Sequence, residues 1–232
     1  MTVISAILII CVLALLLLLE LAFAARPPQR HRWPRNIGFG AVNLAVLGIA
    51  TRIGPAAVAG WAGQHGIGVL NQVWLPQFAA IILVVILMDG AIYWQHRAFH
   101  RIPLLWHFHR LHHADNDFDV TTGVRFHPIE AVLSMLFKGA MAVLLGAPPQ
   151  AMLIFEVYLS IGSLTEHANI ALSGRFERAI RPLWVTPGMH IIHHSAEARD
   201  RDHNFSFALS LWDRLFGTYL GAASGPRIGL LN

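Results

Sequence analysis

Two histidine triplets stand out in this chain: His109, His112 and His113 in HFHRLHH, and His190, His193 and His194 in HIIHH. A pair, His96 and His100 in WQHRAFH, precedes them. Neutral imidazole is the commonest metal ligand that proteins offer. Helix positions i and i+4 differ by about 40° around the axis, so His96 and His100 share a face. Positions i, i+3 and i+4 also fall in a narrow arc, so each triplet is expected to aim three imidazoles at one point. A structural zinc site closes at four ligands, so eight imidazoles call for two ions. His167, in EHANI, is a ninth candidate ligand. Neutral nitrogen donors suit iron, copper, nickel and zinc. The one cysteine, Cys11, lies in an apolar run, which excludes a Cys-ligated zinc or iron–sulfur site and an intramolecular disulfide framework.

Other polar residues read as supports for these ligands. Asp89, Tyr93, His96 and His100 follow a 4-3-4 spacing, one helical stripe leading out of an apolar run. Asp89 lies at membrane depth, where an ionisable group is costly and usually functional, and is expected to accept a ligand's N–H. Tyr93 is expected to donate a hydrogen bond near the site. Glu166, Asn169, Asp202 and Asp213 are further supporting candidates. His31, His65 and His107 read as surface residues. His127, in RFHPIE, reads as a helix-start residue or a ligand support, and His203 is set aside in favour of its neighbour Asp202.

The elements that must position these groups are apolar. Hydrophobic residues make up 55% of the 232 and charged residues only 13%, against roughly 25% charged in a soluble domain. That balance is that of a membrane protein. The net charge of +4 does not signal nucleic acid, because the arginines flank apolar runs and build no soluble basic face. Apolar runs occupy 3–25, 37–53, 78–94, 131–146 and 151–164. The first is long enough to cross a hydrocarbon core of about 30 Å. Ala22-Phe23-Ala24 resembles a signal cleavage site, but no positive residue precedes the run, which favours an anchor.

Arg26, Arg30, Arg32 and Arg35 follow it and mark a cytosolic loop, with the N-terminus non-cytosolic. The stretch 61–77 suits the opposite face, and the run 78–94 then returns to the cytosol. The last two runs, split by Gly146-Ala147-Pro148-Pro149, read as a hairpin that barely spans or is re-entrant. Every histidine cluster then falls on the cytosolic face. From about 173 onward, short helices and loops are expected. The fold class is all-α: an integral-membrane bundle of about four or five membrane-embedded helices under a cytosolic histidine-rich cap. Iron would give such a site a reason to face the bilayer, since a di-iron centre can activate oxygen and attack an unreactive C–H bond of a lipid chain.

The segments HRAFH, LWHFHRLHH, RFHPIE, TPGMHIIHH and LWDRLFGTYL, from Asp89 to Leu220, resemble the fatty acid hydroxylase/sterol desaturase superfamily of membrane di-iron enzymes. The resemblance implies two iron ions, with zinc as a substitute on purification, and O2 as co-substrate. It places the ligands on His96, His100, His109, His112, His113, His190, His193 and His194, with His167 as the additional histidine. Where some members carry a further histidine four residues earlier, this chain has Ser163. Electrons would come from a separate donor protein of the ferredoxin, rubredoxin or b-type cytochrome class. Residues 1–77 would be N-terminal membrane helices, 78–220 the catalytic domain and 221–232 a tail. The expected activity is hydroxylation or desaturation of a lipid C–H bond in an acyl chain, sterol or carotenoid-like substrate. The rival readings are a metal-binding membrane transporter or sensor, and a non-catalytic lipid-binding member.

Overall fold

The structure, a computed structural model, describes residues 3–49, 54–225 and 227–230. Among these the chain is all-helical, with no strand beyond isolated bridging pairs such as Ala24–Ile170 and Trp184–Leu209. Three helices are long and apolar enough to cross a membrane: α1 (Val3–Phe23), α4 (Gln77–Arg101) and α6 (Pro128–Leu145). With α2 (Trp33–Ile49), α3 (Pro55–Gln64) and α7 (Pro149–Glu166) they form an integral-membrane bundle, and the short α5 (Pro103–His113) packs against α4 as part of the histidine-rich cap. Side chains such as Ile4, Ile7 and Leu18 of α1 and Phe78 and Ile82 of α4 remain exposed, as a lipid-facing surface requires.

The second apolar run, expected over 37–53, is helical through Ile49, and its end lies outside the described residues. The stretch 61–77 begins inside α3, which starts on Pro55 and is rich in alanine, a good helix former. The turn between the last two runs is as expected, although α6 and α7 pack on α3 and α4 rather than on each other. Gly146 ends α6 in the left-handed conformation (φ 68°), which glycine adopts without a Cβ penalty, and Pro149 opens α7. Ala59, Val84, Met88, Ala142, Met152 and Phe155 build the core where α3, α4, α6 and α7 meet.

Glu20, alone charged in the first apolar run, is buried. It accepts hydrogen bonds from the backbone N–H of Val120 (2.8 Å) and of Asn169 (2.6 Å). It therefore staples α1 to two loops of the cap. The basic loop is also more than a topology signal. Arg32 is buried and ion-paired with Asp115, Asp117 and Asp119, Arg35 reaches Asp115, and Arg26 donates to the Phe118 carbonyl. The cap is completed by α8 (Gly174–Ile180), α9 (Pro187–His193), α10 (Ala198–Arg201) and α11 (Leu211–Leu215).

Candidate metal centre

Three segments deliver the imidazoles. The last turns of α4 carry His96 and His100, α5 carries His109, His112 and His113, and α9 with its C-cap carries His190, His193 and His194. Pro103 and Pro187 each stand at the first position of their helix, where a missing N–H costs nothing. His167 caps α7. All nine come together in two groups, each with its candidate ligand atoms within 4.8 Å of one another. His96, His100, His109, His113 and His193 form the first, and His112, His167, His190 and His194 the second.

The triplets therefore do not aim at one point. Each straddles both groups: the i and i+4 members go to one, and the i+3 member goes to the other. Helix geometry explains this. Residue i+3 lies about 60° to one side of i and residue i+4 about 40° to the other, so the two diverge by about 100°. The i/i+4 pairs His96/His100 and His109/His113 meet in the first group. His190/His194 stay in the second, and His112 and His193 cross over.

Ring orientation favours metal binding. The Nδ1–H groups of His96 (2.7 Å), His193 (2.8 Å), His167 (2.6 Å) and His112 (3.3 Å) donate to the carbonyls of Phe205, His203, Ser163 and Arg125. His109 Nδ1 lies 2.7 Å from Glu130 Oε1. A carbonyl only accepts, so Nδ1 carries the proton and the Nε2 lone pair is left facing inward. The Nε2 atoms then crowd together. His96 Nε2 is 3.1 Å from those of both His109 and His193, and His167 Nε2 is 3.2 Å from those of His112 and His194. Bonds of about 2.0–2.1 Å to one cation put adjacent nitrogens about 3.0–3.4 Å apart.

Converging lone pairs at that spacing repel unless a cation sits between them. His100 Nε2 and both nitrogens of His190 are buried without a hydrogen-bond partner. Burial first, and the neighbouring imidazoles next, hold His112, His113, His190 and His194 well below the usual imidazole range. Burial takes His167 down to about 4, so these imidazoles stay neutral at physiological pH. The donor set fits two divalent cations, with one buried carboxylate beside each group. Glu130 meets His109 of the first, and Glu166 lies 3.5 Å from His190 and 3.7 Å from His167 of the second.

Glu166 thus stands where the sequence suggested, and Asp202 lies 3.8 Å from His100 Nδ1. Asp89 is different. It makes no hydrogen bond to a histidine but accepts from Trp212 Nε1 (2.7 Å) and from the Leu209 N–H (3.4 Å), tying α4 to α11. Asn169 instead ties the exit of α1, accepting from the Arg26 N–H and donating to the Arg26 carbonyl. Tyr93 and Asp213 act at one remove. Asp213 accepts from the N–H groups of Phe205 and Ser206 and from Thr218 Oγ1. With its proton so engaged, Thr218 Oγ1 accepts from the Tyr93 hydroxyl at 2.9 Å. This chain fixes the Phe205 carbonyl that orients His96.

His127 is the N-cap of α6, its Nδ1 accepting from the Ile129 N–H. His65 and His107 are exposed, and His203 contributes only its carbonyl to the centre. Glu130 was missed from sequence. Its signal was an acid in the first turn of the helix that Pro128 opens.

A sequence profile described as fatty acid hydroxylase matches residues 81–218. Alkylglycerol monooxygenase of Xenopus tropicalis is 30% identical over 139 residues, covering 57% of this chain and 29% of that protein. Ornithine lipid hydroxylase OlsE of Rhizobium tropici is 30% identical over 180 residues, 74% of this chain and 52% of the relative. A putative Delta(7)-sterol-C5(6)-desaturase 2 of Arabidopsis thaliana is 25% identical over 158 residues, 63% of this chain and 50% of the relative. The matches thus span about half or less of the length of these relatives. No solved structure matches the chain.

Proposed function

The chain belongs to the fatty acid hydroxylase family, and from that premise we propose that it is a membrane di-iron oxidoreductase that uses O2 and external electrons to oxidise a lipid C–H bond. The observation that carries this reading is the convergence of nine imidazoles in groups of five and four, with inward Nε2 lone pairs only 3.1–3.2 Å apart. His96, His100, His109, His113 and His193 would hold one iron, and His112, His167, His190 and His194 the other. Bound there, the irons supply reductive activation of oxygen and oxidation of the C–H bond. Glu130, Glu166 and Asp202 orient and balance the ligands. Residues 78–220 are the catalytic unit, 1–77 the flanking membrane helices and 221–232 the tail. The cap faces the cytosol and the N-terminus the other side.

The lipid chain approaches from the bilayer side along Phe207. That ring packs on the apolar core and lies 4.9 Å from the His96 ring. Phe118, fully buried against His167 (5.2 Å) and His194 (5.0 Å), keeps water from the second group. The names of two relatives, a monooxygenase and a hydroxylase, favour oxygen insertion over desaturation.

The test is to load the protein with iron, embed it in bilayers of total lipid extract, and supply a reductant and 18O2. A lipid product carrying one 18O supports the reading. A product lighter by two mass units supports the desaturating form of it. Unchanged lipids at two equivalents of bound iron would contradict it.

A further inference from the structure

The half-buried Trp106 bridges the surface and the first histidine group. Its ring centroid lies 5.1 Å from that of His100, 5.5 Å from His113 and 6.2 Å from His109, touching three of the five imidazoles. The guanidinium of Arg201 sits over the ring at 5.0 Å. Arg110, one turn further along α5, is exposed. Arg101, at the end of α4, is 57% exposed and pairs at 3.7 Å with Asp202, which also approaches His100. α5 carries no acidic residue to offset these cations. We propose that the Trp106 face, flanked by Arg101, Arg110 and Arg201, is where an acidic one-electron carrier protein docks and where electrons enter the centre.

The proposal rests on the reading of the centre as an iron oxygenase, and the electron count explains why an entry face is needed. Hydroxylating one C–H bond places one oxygen atom of O2 in the lipid and reduces the other to water, consuming two electrons and two protons. Desaturation consumes the same and releases two waters. A one-electron carrier must therefore dock twice per turnover. Fast, reversible encounters of that kind are what complementary surface charge provides. An aromatic ring in contact with three of the imidazoles and half-exposed at the surface offers a covered path inward.

Two measurements decide it. On metal-free protein in nanodiscs, fluorescence quenching by iodide is compared between wild type and Trp106→Phe. The positive face should draw iodide to Trp106, giving an excess quenching that about 0.3 M salt removes, since screening lengths fall well below 10 Å there. If Trp106 is quenched by headgroup-labelled lipid and not by iodide, the face lies on the bilayer and the proposal is wrong.

On iron-loaded protein, the irons are reduced by photoreduced flavin mononucleotide, an anion, or by uncharged lumiflavin. Reduction by the anion should be about tenfold faster at low than at high salt, and lumiflavin insensitive. R101E/R110E should reverse the salt dependence for the anion, and Trp106→Leu should slow both flavins at unchanged iron content. Salt-independent reduction, or full rates in Trp106→Leu, would overturn the entry face. Failure to hold iron would overturn the oxygenase reading instead, and the iodide result still decides the charge of the face.

Discussion

Five of the nine imidazoles spend their Nδ1–H on an oxygen acceptor, four on backbone carbonyls and one on Glu130. This sets the tautomer before any ion arrives, and removing the acceptor should loosen the ligand. Glu130→Ala is expected to weaken metal affinity about 10–100-fold, with Glu130→Gln losing less because the amide oxygen still accepts. Competition with a chelator of known affinity measures it, and equal affinity of all three proteins would rule out an orienting role. Acid should act on the same atoms. In the unfolded chain the imidazoles take up protons near pH 6.5, whereas burial holds the folded His167 at about 4. Between those values the unfolded state binds more protons, so stability falls as pH falls. The metal-free protein should therefore melt at steadily lower temperature from about pH 6.5 down to pH 4 and show no such trend above pH 7. A flat profile across that window would mean the imidazoles are not buried as a neutral group.

At the scale of the element, the i+3 member of each triplet crosses to the other histidine group. His112 leaves its helix partners for the second group, and His193 leaves His190 and His194 for the first. The sequence made the histidines legible but hid this division, because spacing gives the angle between side chains and not where two helices meet. Asp89 shows the same limit. Its place on the stripe with His96 was readable, but the indole of Trp212 that donates to its carboxylate comes from α11, far away in sequence. Gly90 explains how α11 comes so close: a Cβ there would lie 3.0 Å from the Trp212 ring. Gly90→Leu should push α11 off α4 and cost about 1–3 kcal/mol by overpacking. It should also lower occupancy of the first group, since the 205–213 segment carries the Phe205 carbonyl. Chemical denaturation together with metal content checks this, and an unchanged pair of values would show that α11 does not brace the site.

Across the whole molecule, membrane half and cap are joined by buried charge. Arg32 meets three aspartates in the 115–119 segment. Asn36 donates to Asp115 (2.7 Å) and accepts from Arg125 (3.0 Å), whose carbonyl orients His112. From sequence the arginines of this loop read only as a topology signal, because nothing local announces that an acidic segment some 80 residues later folds onto them. Arg32→Ala would strand buried carboxylates and should cost about 3–5 kcal/mol, read by denaturant unfolding in detergent. A loss below about 1 kcal/mol would mean that the network contributes no more than a surface pair. The helical class, the apolar runs and the nine histidines were legible because composition and spacing encode them directly. The pairing of loops across the cap was not, because it depends on contacts distant in sequence.

Two ions held by two unequal histidine groups can be counted by elemental mass spectrometry of the purified protein. Wild type should hold two metal equivalents per chain, iron or substituting zinc. The double variant His112→Ala/His190→Ala, which strips only the group of four, should hold one. One equivalent or less in the wild type after anaerobic iron reconstitution, or two still bound in the double variant, would rule out two separate metal groups.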